Sequence, residues 1–166
     1  MASNTYKFRE VDKAHDDEFL MSVYASTRDD LKMIGMPVES LNLLIALQYR
    51  AQTEQYRLNY PAATHHIICQ RDEQIGRLIV ERGATEILLV DVALLPEFRN
   101  RGVGGTVVHG LIEEAEASDR TFVLHVRKMN PAVRLYKRLG CEITGDTGTH
   151  LRMERRRGLV AIRPNY

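Results

Sequence analysis

One stretch of the sequence decides the fold: Leu88-Leu89-Val90-Asp91-Val92-Ala93-Leu94-Leu95-Pro96-Glu97-Phe98-Arg99-Asn100-Arg101-Gly102-Val103-Gly104-Gly105-Thr106. It begins as an apolar strand, turns at Pro96, and enters a helix through a glycine-rich segment. Glycines carry no Cβ, so a ligand can approach the backbone closely. The first amides of a helix have no internal partners and, together with the helix dipole, form an anion site. The stretch therefore predicts a strand, a loop and a helix that bind a phosphorylated ligand.

The residues expected to hold the phosphates lie in the loop and in the first turn of the helix. Arginine side chains there add positive charge beside the amides. The predicted phosphate-binding set is Arg99, Asn100, Arg101, Gly102, Val103, Gly104, Gly105 and Thr106.

Length and composition indicate one globular domain. The chain has 166 residues and a net charge of +1, and this length is enough to bury a sizeable core. We expect a single domain over residues 1–166, with 156–166 as a C-terminal tail. The charge gives no sign of a nucleic-acid partner. No run approaches the roughly 18 apolar residues of a membrane span, and the N-terminus lacks a signal-peptide core. We therefore expect a cytoplasmic protein that binds neither nucleic acid nor membrane.

The two cysteines, Cys69 and Cys141, lie far apart in the sequence and have no metal-ligand spacing. This pattern argues against a disulfide framework and against a metal site. Both cysteines fall in apolar, strand-like runs. We expect two buried structural thiols.

Apolar periodicity predicts a mixed α/β fold. Strands are predicted at residues 6–10, 65–70, 74–81, 86–95, 121–126, 141–144 and 150–155. Helices are predicted at residues 16–28, from residue 40 to just before residue 59, from residue 102 onward, and at 130–139. Ser40 is expected to cap the second helix, with Leu43, Leu44, Leu47 and Tyr56 on its apolar face. The strand at 86–95 is expected to be central and buried on both faces.

Three classes of phosphate-binding loop compete for the glycine-rich segment. A nucleoside-triphosphate loop needs Lys-Ser/Thr after its last glycine, and Gly105-Thr106 follows Gly104 here, so this class is rejected. A dinucleotide loop needs a third glycine where Val107 stands. Such domains also generally begin with that loop, although an NADP-type site stays open as an alternative.

The third class is coenzyme A. Arg99-x-x-Gly102-x-Gly104 resembles the pyrophosphate motif of the GNAT superfamily, the acyl-CoA-dependent N-acetyltransferases. A second segment, Asn130-Pro131-Ala132-Val133-Arg134-Leu135-Tyr136-Lys137-Arg138-Leu139-Gly140-Cys141, resembles the same family, which commonly has an aromatic residue where Cys141 stands. The resemblance covers roughly residues 73–154. It implies a GNAT fold, with a mixed sheet of about six to seven strands flanked by about four helices, and acetyl-CoA as cofactor.

The resemblance also implies roles for individual residues. The main chain of Val92, Ala93 and Leu94 would pair with the pantetheine arm, like an added strand. Asn130 would contact the arm from the other side. Tyr136 would point at the thioester sulfur and serve as general acid.

The general base is less defined. Asp91 is the first candidate, because a carboxylate in an apolar strand is costly unless it is paired or used. Glu86, His125, the pair His65-His66 and a path through ordered water stay open as alternatives. No cysteine or serine has the neighbours of an activated nucleophile, so the amine is expected to attack the thioester directly.

The acceptor pocket is expected between the first two helices and the final hairpin. Asp29 or Asp30 would suit a cationic amine, and Arg28 would suit an acidic substrate. The partner is expected to be a small-molecule amine or a peptide amine. A CoA-binding module without catalysis is the alternative from another class. A homodimer through the final strands and the tail at 158–162 is a further expectation.

Overall fold

The computed structural model describes residues 6–156. Its elements follow the predicted order, with one short extra helix (α2) and a single 3-10 turn at Pro96–Phe98. In chain order they are β1 (Tyr6–Glu10), α1 (Asp17–Ala25), α2 (Asp29–Lys32), α3 (Val38–Asn59), β2 (Thr64–Gln70), β3 (Glu73–Arg82), β4 (Glu86–Leu94), α4 (Val103–Ala117), β5 (Thr121–Arg127), α5 (Ala132–Arg138), β6 (Glu142–Asp146) and β7 (His150–Arg155). The tail at 158–162, proposed to mediate a dimer, lies outside the described residues.

The strands hydrogen-bond in the order β1-β2-β3-β4-β5-β7-β6. β4 and β5 run parallel, whereas the pairs β1–β2, β5–β7 and β6–β7 are antiparallel. The prediction of a mixed α/β fold with six to seven strands is therefore confirmed. No helix within residues 6–156 has the length and apolar content needed to cross a membrane.

The chain forms two compact units, and both β3 and β4 pass from one to the other. The first unit comprises the chain up to Ile79 together with Asp91–Arg101. Its helical core has Tyr24, Leu31, Ile45 and Tyr49 at the centre. The second unit comprises Val80–Val90 and the chain from Gly102 onward.

The second unit contains α4, which has one buried apolar face. The buried side chains of the helix are Val103, Val107, Val108, Leu111, Ile112 and Ala115. Helical spacing brings these residues to one side. The next strand, β5, is buried at Phe122, Val123 and Leu124.

The predicted face of α3 is only partly correct: Leu44 packs against the helical core and Tyr56 is half-buried, but the start and two of the leucines are wrong. The helix begins at Val38 after Pro37, not at Ser40, and the side chains of Leu43 and Leu47 are 63% and 54% exposed. Ile45 and Tyr49 are buried instead. Polar side chains such as Gln52, which binds Arg77, share the inner face with them, so leucine positions alone do not define that face.

The prediction that β4 is buried on both faces holds for only part of the strand. Ile87, Leu88 and Leu89 are buried, but Val90–Leu94 is half-buried. The parallel register with β5 pairs Glu86–Leu89 with Thr121–Leu124. Strand pairing thus accompanies the buried segment, and the outer end of β4 is more open.

The prediction of two buried thiols is correct for one cysteine only. Both cysteines are free, but Cys141 is buried whereas Cys69 is half-buried. Burial raises the pKa of the Cys141 thiol to about 11. Cys141 is therefore a neutral packing residue near pH 7.

Asp16 is a buried carboxylate that the sequence patterns did not single out. It is 3% exposed, and its two oxygens accept hydrogen bonds from Arg9 Nη1 and Nη2, each at 2.8 Å. The backbone amide of Asp12 donates a third bond at 2.7 Å. These donors outweigh the desolvation of the carboxylate and lower its pKa to about 2.

We expect Asp16→Asn to destabilise the fold by about 2 kcal/mol near pH 7. A carboxyl with a lowered pKa stabilises the folded state above its unfolded pKa near 4 and loses that contribution as the pH falls toward 2. Urea unfolding at a series of pH values measures this directly. Asp72→Asn, in the exposed turn before β3, is the matched control. Equal unfolding free energies for wild type and Asp16→Asn at neutral pH would contradict the assignment.

Candidate functional site

The loop between β4 and α4 turns the chain through two residues with positive φ. Asn100 has φ 58° and Gly102 has φ 83°, and Gly102 is the N-cap of α4. The first amide to bond within the helix is that of Thr106, which donates to the carbonyl of Gly102 at 3.0 Å. The amides of Val103, Gly104 and Gly105 precede it, so these three N–H groups have no acceptor within the helix, as is usual at a helix start.

The glycines of this turn leave room beside those amides. A Cβ built on Gly102 or on Gly104 would meet no atom within 4 Å. Gly102 needs its glycine for the positive φ, but nothing in the packing around Gly104 requires one. Open space at an unpaired helix start fits an anionic ligand such as a diphosphate.

Arg99 has a structural function in this loop. Its Nε donates to the carbonyl of Leu94 at 2.9 Å, and its Nη2 donates to the carbonyl and hydroxyl of Ser26 at 3.0 and 2.8 Å. It thereby joins the end of β4 to the residue that follows α1. Arg101 is exposed and lies over the ring of Phe98, 6.0 Å from its centroid. The predicted contacts of both arginines with phosphate stay predictions.

The outer end of β4 lies tightly against β3. A Cβ on Gly76 would sit 2.3 Å from the carbonyl oxygen of Ala93 and 2.8 Å from Leu94 Cδ2. The amide of Leu95 donates to the carbonyl of Ile75 at 2.9 Å. This contact holds one side of Val92–Leu94 in a fixed position, which is what a strand that receives a ligand on its other side requires.

Asp91 is paired with a buried arginine. Arg77 Nε donates to Asp91 Oδ2 at 2.6 Å, and the two side chains are 7% and 22% exposed. Arg77 Nη2 also donates to Gln52 Oε1 of α3 at 2.7 Å. The guanidinium thus joins α3 to β4 and keeps the Asp91 carboxylate in one orientation.

Sequence reasoning missed Arg77 and Gln52. A signal was present, because Arg77 is a lone charge in the apolar run Ile75–Val80, as Asp91 is in β4. Two lone opposite charges in apolar strands predict a buried ion pair, since neither is stable there unpaired. Gln52 has no such signal, because a glutamine in a helix is ordinarily solvated.

Tyr136 is 6% exposed, on α5 in the second unit. The helix begins at Ala132 with Pro131 as its N-cap, two residues later than predicted. Asn130 precedes it and accepts a hydrogen bond from the amide of Ala132 at 2.9 Å, and Gly140, with φ 80°, lies just beyond the end of the helix. The Asn130 side-chain oxygen is therefore used within the fold. Its predicted contact with a pantetheine arm stays a prediction, as does the role of Tyr136.

The three predicted substrate residues are paired among themselves and with their neighbours. Arg28 binds both oxygens of Asp30 at 2.9 and 2.8 Å and also contacts Tyr24 and Gln48. Asp29 pairs with Lys32 at 2.8 Å. Their charges are thus compensated locally, and contact with a substrate stays a prediction.

The other candidate bases lie in different environments. Glu86 pairs with Arg152 at 3.2 Å. His125 of β5 is exposed. Partial burial, reinforced by the charge of Arg152, lowers the pKa of His125. His65 is half-buried in the first unit, where burial and the charge of Arg77 lower its pKa. His65 is therefore a neutral imidazole near pH 7.

Comparison with known proteins agrees with this geometry. Residues 68–148 match the family model described as FR47-like protein. No curated protein matches the chain. PaiA N-acetyltransferase from Thermoplasma acidophilum, solved in complex with coenzyme A, is similar with a TM-score of 0.67 and 16% identity, over 92% of this chain and 99% of that one.

Two further solved structures are similar over most of their length. An acetyltransferase from Thermus thermophilus has a TM-score of 0.66 and 20% identity, over 92% of this chain and 97% of that one. A Bacillus subtilis acetyltransferase in complex with CoA has a TM-score of 0.59 and 13% identity, over 91% and 97%. The shared fold and the family match confirm the resemblance read from the two motifs.

We expect Gly76→Ala to destabilise the protein by about 2 kcal/mol, because the new methyl group overlaps the carbonyl of Ala93. Gly110→Ala in α4 is the matched control, since its Cβ would meet no atom within 4 Å. That control should gain up to about 1 kcal/mol from helix propensity. Thermal and urea unfolding of both variants provide the measurement, and a neutral Gly76→Ala would show that β3 and β4 are less tightly packed here.

Proposed function

The chain shares the fold of the GNAT superfamily and matches the FR47-like model over residues 68–148, and from this premise we propose that it is an acetyl-CoA-dependent N-acetyltransferase. The observation that carries the proposal is the start of α4. Gly102 caps the helix in the left-handed region, and open space surrounds the unpaired amides that follow. These donors are already in place before a diphosphate arrives, so binding requires no rearrangement of the loop.

The outer end of β4 suits the rest of the cofactor. Val92, Ala93 and Leu94 are half-buried and lie beyond the segment that pairs with β5. A pantetheine arm carries amide groups that can hydrogen-bond to an available strand edge, as an added β-strand does. Two similar acetyltransferases are solved with coenzyme A bound, and this supports the same cofactor here.

The proton of the amine sets the first chemical requirement. A lysine-like amine has a pKa near 10.4, so at neutral pH only about one molecule in a thousand is nucleophilic, a deficit of about 4 kcal/mol. Bound acetyl-CoA supplies an acetyl group activated as a thioester. Asp91 Oδ1 is the candidate acceptor for the amine proton, because Arg77 Nε occupies Oδ2. A path through ordered water is the alternative, because Asp91 is already paired with Arg77.

The leaving thiolate sets the second requirement. A thiol of this kind has a pKa of about 8.5 and a tyrosine about 10, so protonation by the phenol is uphill by only about 2 kcal/mol. Tyr136 is buried on α5, where packing restricts its rotamer. We assign it the role of general acid.

Gly104→Ala should separate stability from ligand binding. The substitution fits the free protein, where no atom lies within 4 Å of the new Cβ, and it raises helix propensity by up to about 1 kcal/mol. We expect a slightly higher melting temperature together with CoA binding weakened at least about tenfold, because the methyl group takes the space of the diphosphate.

Gly110→Ala, in the same helix away from the turn, is the control and should bind CoA like wild type. Calorimetric titration with CoA and thermal unfolding measure the two effects. Unchanged CoA affinity in Gly104→Ala would refute the loop assignment, as would wild-type protein that does not bind CoA.

Tyr136→Phe should lower kcat by about a hundredfold, the lower range for loss of a general acid. Its CoA affinity should change little, since only the hydroxyl is removed and the ring stays in place. Thiol release from acetyl-CoA, measured over a panel of amines, gives the rate. A rate near that of wild type would show that Tyr136 is a packing residue. Thiol release that no amine accelerates would favour a CoA-binding module without catalysis.

A further inference from the structure

A small cavity of about 40 Å³ lies inside the first unit, between α3 and the strands β2 and β3. Its polar lining comes from Tyr49, Thr53 and Tyr56 of α3, His65 and His66 of β2, and Arg77 of β3. A cavity of this size holds a carboxylate, a carbonyl group or a few water molecules. It is distinct from the turn at the start of α4 that the proposed function assigns to diphosphate.

Three of the lining groups converge on the cavity without a hydrogen bond in the described part of the chain. Arg77 is 6% exposed, and its bonds to Asp91 and Gln52 use Nε and Nη2, which leaves Nη1. Within residues 6–156 the hydroxyl of Tyr56 and the ring nitrogens of His65 also make no hydrogen bond, although the Tyr56 ring packs against the Tyr60 ring at a tilt of 57°. Arg77 is buried, whereas Tyr56 and His65 are half-buried, so these three groups have hydrogen-bonding capacity that a ligand in the cavity can satisfy.

The protonation states make all three groups donors near neutral pH. Burial raises the pKa of Tyr56, so its phenol keeps the proton. The lowered pKa of His65 leaves a neutral imidazole with one N–H. An arginine is always charged. A group with oxygen lone pairs is therefore the chemical complement of the cavity.

The charges around the cavity do not suit a polycationic substrate. The carboxylate of Asp17 accepts the hydroxyl of Tyr49 at 2.9 Å, and the carboxylate of Asp91 accepts Arg77 Nε. Both acids next to the cavity are therefore already engaged, and the charge inside it is that of Arg77. An ammonium group would meet three donors there and no acceptor carboxylate.

We propose that this cavity receives a carbonyl or carboxylate oxygen of the acceptor, carried on the carbon next to the reactive amine. The inference rests on the proposed function, because it takes the amine to be the group acetylated. The guanidinium of Arg77 both binds Asp91 and lines the cavity. A substrate amine at Asp91 Oδ1 and a substrate oxygen at Arg77 Nη1 would therefore lie on either side of this one guanidinium. Tyr56 and His65 bind the same oxygen and select substrates that have it.

The test compares three probes that share one carbon framework: alaninamide, alanine and isopropylamine, of which the last lacks the carbonyl. Each is titrated by calorimetry into full-length protein saturated with CoA, where no transfer occurs. We expect alaninamide, alanine or both to bind at least about tenfold more tightly than isopropylamine, as two hydrogen bonds to buried donors predict. The amide and the acid distinguish a carbonyl from a carboxylate, and a preference for either supports the cavity.

Tyr56→Phe removes one donor and keeps the ring. It should reduce the preference for the carbonyl probe about fivefold while leaving the affinities for isopropylamine and CoA unchanged. Tyr60→Phe, which changes the ring packed next to Tyr56, is the matched control and should behave like wild type. Equal affinities for the three probes, no binding of either carbonyl probe, or an equal loss for all probes in Tyr56→Phe would overturn the proposal.

Failure of the cavity and failure of the proposed function give different results. If CoA binds but the probes show no preference, the cavity assignment is wrong and the acetyltransferase assignment stands. If CoA does not bind, the acetyltransferase assignment is wrong. The same probes titrated into the protein without CoA then decide whether the cavity binds an oxygen ligand.

Discussion

The buried guanidinium of Arg77 is the interaction on which the first unit depends. It lies in an apolar strand, so its charge is tolerated only because Asp91 and Gln52 bind it at 2.6 and 2.7 Å. Breaking a buried ion pair by removing one partner costs about 3–5 kcal/mol, because the other charge is left uncompensated. The same contacts fix α3 and the outer end of β4 relative to β3. An ion pair needed for folding thus also sets the position of the carboxylate that is the candidate acceptor of the amine proton.

Much of the architecture could be predicted from the sequence, and the successes share a cause. The apolar period of α4 is uninterrupted from Val103 to Ala115, so its inner face and its position after β4 follow directly. The errors also share a cause. Gln52 occupies the inner side of α3 because it binds Arg77, and the outer end of β4 is open because its register with β5 ends at Leu89. In both cases a tertiary contact overrides the local pattern.

The candidate site likewise has features that the local sequence predicts and features that depend on distant contacts. The glycine turn is local, so the conformation of Gly102 and the open amides after it follow from a few consecutive residues. Arg28 pairs with Asp30 nearby in the sequence, but the Ser26 partner of Arg99 and the Arg77 partner of Asp91 come from other segments of the chain. Spacing in the sequence does not predict these distant partners. Arg99 shows the consequence, because a residue chosen for its charge also joins β4 to the end of α1 through Ser26.

The glycines at the start of α4 also affect the stability of the protein and its lifetime in the cell. Glycine in a helix costs up to about 1 kcal/mol relative to alanine, so Gly104 and Gly105 weaken the first turn while it is empty. A ligand that binds only the folded state restores stability by mass action, about 2.7 kcal/mol at a hundredfold excess over its dissociation constant. A chain with this turn is therefore more readily degraded when its ligand is scarce. If that ligand is the proposed CoA, the abundance of the protein in the cell would follow the supply of CoA.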